Sequence, residues 1–384
     1  MTVVQRPALN RIVTAVIAAE IRRVRHADLP GSRDWADETP IGEEGLGLDS
    51  LERLGALGAL AEVFGLDDAT LPTQPARCVG DWVDWVIDGH PPSGRRITIR
   101  TSGSTGPSVT CTHALSDLVD EARYFSQRLT DRRRVVALVP AHHLYGLIWT
   151  ALLPDILGIS VVTGAIGTAL DLTPGDLVVA VPDQWQALRM LIRQFPSDIV
   201  GVSSAAPLQR PLADALRAAG LAGLFDIYGS SETGGIAIRE HPATTYDLLP
   251  RWRLSPSGDD WELTDKHGGR YALPDHIERT GERRIRPVGR RDGVVQVGGH
   301  NVRPTHVAET LRRIDGVADA AVRLHENGRL KAFIVPEDDR DPTELAKVIE
   351  DSMAASLSVP ERPRSLRFGP ALPRNAMGKL ADWT

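Results

Sequence analysis

Between residues 97 and 228, short apolar runs alternate with longer amphipathic runs, and this pattern constrains the fold more than any other feature of the sequence. The short runs predict strands at Ile97–Thr101, Val135–Val139, Ser160–Thr163, Leu177–Val181, Asp198–Ser203 and Leu224–Tyr228. The longer runs predict helices at Leu115–Leu129, Gln184–Phe195 and Leu208–Ala219. Strands that alternate with helices form a parallel sheet covered on both faces, and ligands bind beyond the carboxyl ends of its strands. The sequence therefore predicts an α/β fold with a parallel sheet.

The chain has 384 residues, which is enough for two or three domains. The segment Pro91-Pro92-Ser93-Gly94 has the composition of a linker. Beyond residue 292 the pattern becomes that of a small α+β domain. Helices are predicted at His306–Ile314 and Thr343–Ala355, and strands at Asp315–Leu324 and Leu330–Pro336. We therefore expect a helical domain at residues 1–90, the α/β core at residues 91–291 and the α+β domain at residues 292–384.

The first ninety residues carry a helical pattern and most of the negative charge. Helices are predicted at Ala8–Val24, from Gly47-Leu48-Asp49-Ser50-Leu51 through Phe64, and at Val79–Ile87. Eight arginines, no lysine and fifteen acidic residues give this segment a net charge of −7, while the whole chain carries −6. A small acidic helical bundle is therefore expected, with Asp49 or Ser50 as the N-cap of its second helix.

Composition excludes several classes of protein. Hydrophobic residues make up 42% and charged residues 24% of the chain, which is ordinary globular usage. No apolar run approaches the roughly 18–20 residues of a membrane span, no secretory signal is recognised, and no basic surface for nucleic acid is evident. The two cysteines, Cys78 and Cys111, support neither a disulfide framework nor a zinc site. We expect a cytoplasmic protein that binds neither membranes nor nucleic acid.

A loop of glycines and hydroxyl residues follows the first predicted strand. Its sequence is Thr101-Ser102-Gly103-Ser104-Thr105-Gly106. Glycines let the backbone approach a ligand closely, and hydroxyl and amide N–H groups donate to phosphate oxygens. The loop is not a Walker A motif, because no Gly-Lys-Ser/Thr follows. Loops of this composition also form ordinary turns, so both interpretations stand for this segment alone.

A second cluster follows the last predicted strand. Its sequence is Tyr228-Gly229-Ser230-Ser231-Glu232-Thr233-Gly234-Gly235. Tyrosine offers a face for a flat ring, and glutamate offers an oxygen ligand for Mg²⁺. The alternative is a glycine-rich hairpin without a ligand. Because both loops follow strands of one predicted sheet, we expect them to meet over the same crevice.

Together these segments resemble the adenylate-forming superfamily of acyl- and aryl-CoA ligases, carrier-loading adenylation enzymes and luciferases, over residues 97–384. The two loops are similar to its phosphate motif and to its adenine and magnesium motif. Further segments match in family order, namely His142-His143-Leu144-Tyr145-Gly146, Ser203-Ser204-Ala205-Ala206-Pro207, Gly289-Arg290-Arg291-Asp292 and Pro373-Arg374-Asn375-Ala376-Met377-Gly378-Lys379. The resemblance implies ATP- and Mg²⁺-dependent adenylation of a carboxylic acid, either aryl or small acyl, with a mobile C-terminal lid.

The resemblance also implies a role for each matched residue. The implied ATP contacts are Thr101, Ser102, Gly103, Ser104, Thr105, Gly106, Ser204, Tyr228, Gly229, Asp275 and Arg290. In the implied catalytic set, Lys379 reaches the carboxylate and α-phosphate, Glu232 binds Mg²⁺ and Thr233 contacts the α-phosphate. His143 and Gly229 line the acid pocket, and Asp292 is the hinge of the lid. Lys379 is one of only four lysines beside 40 arginines, in the motif whose chemistry requires a compact ammonium group.

Residues 1–90 resemble an acyl carrier protein. The similarity rests on Gly47-Leu48-Asp49-Ser50-Leu51 and on Cys78-Val79-Gly80-Asp81-Trp82-Val83-Asp84-Trp85-Val86. It implies a 4′-phosphopantetheine group on Ser50, attached by a phosphopantetheinyl transferase. The positive end of the helix dipole favours a phosphodiester at this position. The alternative is that Ser50 only caps its helix.

Three departures from the family pattern leave the acceptor open. The phosphate loop continues as Pro107-Ser108-Val109 without the usual lysine, residues 1–90 replace the usual larger N-terminal subdomain, and Gln296 stands where many CoA ligases have a lysine. The acyl group is expected to pass to a thiol on Ser50, on a separate carrier protein or on CoA, and a carrier would suggest secondary metabolism by analogy. Two alternatives remain: a catalytically weak scaffold or pseudo-carrier, and an adenylate donor to an amine.

Overall fold

The computed structural model describes residues 4–25, 35–67, 70–71, 74–89, 95–100, 110–258, 260–291, 293–298, 300–337, 340–374 and 380–383, apart from the side chains of Arg290 and Asn301. Helices α1 to α10 span Arg6–Arg25, Ser50–Phe64, Val79–Gly89, Leu115–Ser126, Leu144–Leu147, Leu153–Leu157, Pro182–Leu191, Arg210–Ala218, Pro304–Arg312 and Pro342–Ser356. A π-helical segment, Ile148–Leu152, joins α5 to α6, and a 3₁₀ turn covers Val359–Glu361.

Strands β1 to β19 span Arg96–Arg100, Thr110–Ala114, Arg134–Ala137, Ser160–Thr163, Asp176–Ala180, Val200–Ser203, Gly223–Ser230, Gly234–Glu240, Tyr246–Leu248, Arg253–Ser257, Asp260–Thr264, Arg270–Ala272, Asp275–Arg279, Arg284–Arg290, Val295–Val297, His300–Val302, Val317–Leu324, Leu330–Pro336 and Ser365–Phe368. The described residues up to Ala272, together with Glu278–Arg286, form one compact unit. Leu273–Ile277 and the described residues from Pro287 onward form a second unit. The division into three domains at residues 90 and 291 stays a prediction.

The largest sheet has the strand order β13-β14-β9-β8-β7-β6-β5-β3-β4. Strands β4, β3, β5, β6 and β7 pair in parallel, with Val135 opposite both Val161 and Leu177. From β7 through β8 and β9 to β14 the pairing is antiparallel. The predicted α/β fold is confirmed, with the correction that its sheet is mixed rather than parallel throughout.

Strand β1 departs from the prediction that Ile97–Thr101 belongs to the parallel sheet. It pairs antiparallel with β2, with Arg100 opposite Thr110, in a separate sheet of the described chain. That prediction is therefore wrong. The physical reason is that β2, which begins after only nine intervening residues, satisfies the backbone groups of β1 locally.

Apolar side chains fill the space between the parallel strands and helices α7 and α8. Trp185 and Leu216 of these helices have no exposed surface and belong to one cluster with Val178 of β5 and Leu224 of β7. The Trp185 indole also donates to the Val202 carbonyl oxygen at 3.1 Å. A buried aromatic residue of this size contributes a large share of core burial when its N–H group is satisfied. This packing fixes the strands whose ends carry the candidate site.

The N-terminal helices belong to the same compact unit as the parallel strands. Helix α1 packs against α2, α3 and the π-helical segment, and Ile17 and Ile21 are fully buried in it. The Arg11 guanidinium donates to the Thr163 hydroxyl at the end of β4, at 3.0 Å. The predicted helices are confirmed, whereas the likeness to an acyl carrier protein stays a prediction. Within the described residues, no helix has an apolar stretch long enough to cross a bilayer.

The second unit contains a small sheet in which β17 pairs antiparallel with β18 and β18 pairs in parallel with β19. Helices α9 and α10 contribute the fully buried Leu311 and Ile349 to its core, beside Ala320 and Ile334 of the strands. The helices and strands predicted beyond residue 292 are therefore confirmed. Their role as a mobile lid stays a prediction.

Candidate active site

Three of the segments quoted from the sequence lie at the carboxyl edge of the parallel strands. Residues 140–146 follow β3, residues 203–207 end and follow β6, and residues 228–235 end β7 and turn into β8. Ligands of such sheets bind at this edge. The structure thus brings His143, Ser204 and Tyr228 to one edge of the sheet.

The segment after β3 is held in place by Tyr145. Its hydroxyl oxygen lies 2.9 Å from the Val202 carbonyl oxygen and 3.2 Å from that of Ala180, and donates between these strand ends. Burial raises the pKa of Tyr145 well above its ordinary value, so the phenol stays a neutral donor. His143 precedes α5 and is exposed, with its ring centroid 4.1 Å from that of His142. The imidazole of His143 is therefore accessible at this edge.

Ser204 connects the end of β6 to β7. Its hydroxyl is buried and donates to the Ile227 carbonyl oxygen at 2.9 Å. The next residue, Ala205, has a φ angle of 72°, which is uncommon for a residue with a Cβ and turns the chain sharply. The Ser204 side chain therefore holds this loop against β7.

The turn between β7 and β8 carries Glu232 and Thr233. Gly229 is required before it, because a Cβ there would lie 2.3 Å from the Gly234 carbonyl oxygen. Thr233 is 1% exposed, and its hydroxyl donates to that same carbonyl oxygen at 3.0 Å while lying 3.1 Å from the Ser230 hydroxyl. Glu232 is exposed. The turn presents one carboxylate to solvent and keeps the neighbouring threonine inside.

Tyr228 lies beside a buried polar cluster. Its ring centroid is 6.0 Å from that of Tyr246, with the planes at 57°. The Tyr246 hydroxyl donates to the buried Asp226 carboxylate at 2.6 Å, and Arg239 donates to the same oxygen at 2.5 Å. Burial raises the pKa of Asp226, and Arg239 opposes that shift. These bonds fix the orientation of the Tyr246 ring next to Tyr228.

The predicted phosphate loop lies outside the described residues, and this covers Thr101, Ser102, Gly103, Ser104, Thr105 and Gly106. The strand that follows it reaches the second cluster directly. His113 of β2 donates from Nε2 to the Ser231 carbonyl oxygen at 2.7 Å. Burial lowers the pKa of His113, so the neutral imidazole makes this bond. The flank of the glycine and hydroxyl loop is therefore bonded to the turn that carries Glu232.

A buried carboxylate holds the other side of the same turn. Glu121 of α4 is 4% exposed, and its two carboxyl oxygens lie 3.0 and 3.1 Å from the Gly235 nitrogen, whose N–H they accept. The Arg251 guanidinium lies 3.9 Å from Glu121. Desolvation raises the pKa of Glu121 to about 7, although Arg251 and the Gly235 N–H oppose the shift. The carboxyl group therefore titrates near neutral pH.

In the second unit, the backbone joins two other predicted segments. Arg291 donates through its backbone N–H to the Pro274 carbonyl oxygen at 3.1 Å and through Nε to that of Asp275 at 3.2 Å. Asp275 therefore lies next to the Gly289–Asp292 motif. The Arg290 side chain and residue Asp292 are outside the described part of the chain.

Lys379 also lies outside the described residues, and the positions on either side of its segment are paired. Arg374 and Leu380 form an antiparallel bridge. Lys331 of β18 is buried and donates to the Trp383 carbonyl oxygen. Its Nζ also lies 5.4 Å from the centroid of the Trp383 ring. Trp383 is thereby fixed to the small sheet of its own unit.

Ser50 is exposed at the first position of α2. Asp49 is the N-cap, because its carboxylate accepts the Glu52 N–H at 2.8 Å and the Glu52 carboxylate accepts the Asp49 N–H at 3.0 Å. Arg25 pairs with Glu52 at 2.5 Å and strengthens this capping box. The open choice of N-cap is therefore settled in favour of Asp49.

His113, Glu121 and Arg251 were not found from the sequence. His113 lies in β2, a strand that the sequence pattern does not reveal. Glu121 gave one usable signal, since it occupies the buried face of an amphipathic helix together with Leu118 and Phe125. A carboxylate at such a position requires a partner, because an unpaired buried charge is costly.

Among the described residues, no group of three or more His, Cys, Asp or Glu side chains is placed to hold a metal ion. Mg²⁺ at phosphate sites usually takes one or two protein carboxylates and completes its shell with phosphate oxygens and water. The exposed Glu232 carboxylate fits that requirement.

The comparisons with known proteins agree on one family. Residues 96–285 match the family model of AMP-binding enzymes. The chain is 36% identical over 382 residues to a 4-coumarate–CoA ligase of Halorhodospira halophila, covering 96% of this chain and 97% of the ligase. It is 38% identical to a 4-coumarate–CoA ligase of Rhodobacter capsulatus, covering 98% of this chain and 100% of the ligase. Alignments of this extent include most of residues 1–90.

Solved structures show the same fold. An o-succinylbenzoate CoA synthetase of Bacillus subtilis matches with a TM-score of 0.57 and 20% identity, over 74% of this chain and 67% of that chain. A malonyl-CoA ligase in complex with methylmalonyl-CoA and AMP matches with a TM-score of 0.55 and 22% identity, over 72% and 71%. Identities this low support a common fold and nothing finer.

Proposed function

Because this chain belongs to the family of AMP-binding, adenylate-forming enzymes, we propose that it is an acid–thiol ligase that uses ATP to join a carboxylic acid to coenzyme A. The observation that carries the proposal is the bond from His113 to Ser231, which ties the flank of the glycine and hydroxyl loop to the Glu232 turn. This bond supports a single site in which the loop holds the ATP phosphates beside the metal-binding carboxylate.

The acid is proposed to be 4-coumarate or a related aryl acid. Relatives named 4-coumarate–CoA ligase align with nearly the whole chain, and this supports the aryl class over the small acyl class. His143, exposed at the carboxyl edge, and Gly229 are the residues proposed to line the acid pocket. The exposed His143 imidazole offers a flat face against which an aryl ring can pack.

The proposed ATP contacts follow the family motifs. They are Thr101, Ser102, Gly103, Ser104, Thr105 and Gly106 at the phosphates, Ser204, Tyr228, Gly229 and Asp275 at the adenosine, and Arg290 at the ribose or a phosphate. The half-buried Tyr228 ring, next to the fixed Tyr246, fits stacking on adenine. Because the Ser204 hydroxyl is already bonded to Ile227, Ser204 would contact the nucleotide through its backbone.

The first half-reaction joins a carboxylate oxygen of the acid to the α-phosphorus of ATP. The bond from that phosphorus to the bridging oxygen breaks, and pyrophosphate leaves with the electron pair. Glu232 would hold Mg²⁺, whose charge would offset the repulsion between the carboxylate and the phosphates. Lys379 and Thr233 would donate to the carboxylate and α-phosphate oxygens, and no general base is needed because the acid is already ionised.

The second half-reaction transfers the acyl group to a thiol. The sulfur attacks the carbonyl carbon, the bond from that carbon to the AMP oxygen breaks, and AMP leaves with the electron pair while the thiol proton passes to water. In the proposed cycle the α+β unit rotates at Asp292 between the two half-reactions. The CoA ligase relatives support CoA as the thiol.

ATP–pyrophosphate exchange tests the adenylation step. Exchange is expected with 4-coumarate, weaker exchange with benzoate, and little with short- or long-chain fatty acids. Glu232→Ala and Lys379→Ala are expected to abolish it. Glu240→Ala is the matched control, since Glu240 is an exposed glutamate at the far end of β8. A folded wild-type protein that exchanges with none of these acids would refute the proposal.

A second acceptor is favoured by one observation, the exposed Ser50 at the helix N-terminus with capping assigned to Asp49. A 4′-phosphopantetheine on Ser50 would supply the thiol in place of CoA. Incubation with CoA and a phosphopantetheinyl transferase is then expected to raise the mass of the protein by one phosphopantetheine, and Ser50→Ala is expected to prevent this. An unchanged wild-type mass, beside a carrier protein modified in the same reaction, would exclude this acceptor.

A further inference from the structure

A buried acid outside the family motifs supports the turn on which the proposed chemistry depends. Both polar backbone groups of Gly235 are hydrogen-bonded to side chains. Glu121 accepts its N–H at 3.0 and 3.1 Å, and the Trp252 indole donates to its carbonyl oxygen at 2.6 Å. With the bond from His113 to Ser231, the turn is therefore bonded on both sides of Glu232 and Thr233.

The contact between Glu121 and the turn is tight. A Cβ on Gly235 would lie 2.3 Å from Oε1 of Glu121, so the carboxylate lies directly against the backbone. Gly234 has a φ angle of 72°, and its carbonyl oxygen accepts the Thr233 hydroxyl at 3.0 Å. Because residues 232–235 are consecutive and Gly234 is itself bonded to Thr233, a shift of Gly235 is passed on to Thr233 and Glu232.

Glu121 accepts a hydrogen bond from the Gly235 N–H, whereas the nearby Arg251 lies only at ion-pair distance from it. Arg251 lies 3.9 Å from Glu121 and 3.7 Å from Asp117, so its charge is shared between the two carboxylates. Lys266 in turn pairs with Asp117 at 3.3 Å and with Asp120 at 2.8 Å. Removing the Glu121 carboxylate would leave the buried Gly235 N–H without its acceptor, which is the costly half of a lost hydrogen bond.

We propose that Glu121 is a positioning residue for nucleotide binding: through Gly235 it sets where Thr233 and the magnesium ligand Glu232 stand. This inference rests on the proposed function, because it assumes that the turn binds MgATP. It assigns a functional role to a residue of α4 that acts through the backbone of the turn and does not touch the acid.

Calorimetric titration of the full-length protein with MgATP, without acid, tests the assignment. Glu121→Ala is expected to weaken MgATP binding by about tenfold or more, because the buried Gly235 N–H loses its acceptor. Glu121→Gln keeps an acceptor oxygen and is expected to bind within about twofold of wild type. Leu118→Ala is the matched control, since Leu118 is fully buried one turn earlier in the same helix. It is expected to lose thermal stability and to keep its affinity for MgATP.

Steady-state kinetics give a second readout. In Glu121→Ala the KM for MgATP is expected to rise while the KM for the acid stays unchanged. Equal affinity in wild type and Glu121→Ala, or an equal loss in Leu118→Ala, overturns the inference. If Glu121→Ala does not fold, Glu121→Asp gives the same comparison, because its shorter side chain withdraws the oxygens from Gly235. A wild-type protein without acid-dependent exchange would instead refute the proposed function.

Discussion

The buried carboxyl group of Glu121 makes the stability of the protein depend on pH in a predictable direction. Folding raises its pKa from 4.5 to about 7. Between these values the folded carboxyl group keeps a proton that the unfolded chain has released. Because the folded state then binds more protons, stability falls as pH rises through this window, and the full cost is present above about pH 7. Replacing Glu121 with Gln removes this titration and preserves an acceptor for the Gly235 N–H.

The size of the effect follows from the shift. A change of one pKa unit corresponds to about 1.4 kcal/mol. The rise of the Glu121 pKa from 4.5 to about 7 therefore lowers the free energy of unfolding by about 3 kcal/mol at high pH. Other titrating groups are common to both proteins and cancel in the difference when they lie far from the substitution. The stability of Glu121→Gln relative to wild type is therefore expected to increase by about 2.5 kcal/mol between about pH 5 and about pH 8.

Thermal and urea unfolding of both proteins, followed by tryptophan fluorescence at several pH values, measures this difference. Tryptophan fluorescence reports on unfolding of the first unit, because Trp185 and Trp252 are fully buried in it. The two proteins are expected to differ least near pH 5, and the variant is expected to unfold at the higher temperature near pH 8. A difference that stays constant across the range would show that Glu121 does not change its protonation on folding.

Further predictions follow from single contacts. Asp49→Ala removes the N-cap of α2 and its reciprocal bond with Glu52, and is expected to lower stability by about 1 kcal/mol in urea unfolding. Tyr145→Phe loses the bond to the ends of β5 and β6; a destabilisation of about 1 kcal/mol and a raised KM for the acid are expected, and unchanged kinetics would separate Tyr145 from the site. His113→Ala releases Ser231 and is expected to weaken MgATP binding several-fold in calorimetry, with an unaltered KM for the acid.

The elements read from local periodicity were the ones most reliably predicted. The strands from Val135 to Tyr228 and helices α4, α7 and α8 lie within a few residues of their predicted bounds, because a buried strand or helix face requires an apolar pattern at its own period. The helices of residues 1–90 and of the second unit follow the same rule. These segments carry their structural information within the sequence of each element.

Strand pairing was harder to predict from the sequence, because it depends on residues far apart in the chain. Strand β2, Thr110–Ala114, mixes threonine and histidine with one cysteine and gives no clear alternation, yet it pairs with β1 along its full length. No strand was predicted between Tyr228 and Asp315, where β8 to β16 lie. Of these, β10 and β12 have mostly half-buried or exposed residues and therefore lack a strong apolar signal.

The candidate site shows the same limit. Tyr228, Glu232 and Thr233 were found because family motifs preserve residue order along the chain. Glu121 was missed because its partner Gly235 is 114 residues away, and no local pattern connects the two. The N-cap of α2 was narrowed to two neighbouring residues, and only the bond geometry of Asp49 decided between them.

Product analysis shows whether this chain activates an acid as an adenylate and transfers the acyl group to CoA, as we propose. Purified protein is incubated with 4-coumarate, ATP, Mg²⁺ and CoA, and the products are identified by mass spectrometry. We expect 4-coumaroyl-CoA with AMP and pyrophosphate in equal amounts, and no thioester from Lys379→Ala. Folded protein that yields no thioester and no AMP, or a thioester accompanied by ADP and phosphate, would contradict this proposal.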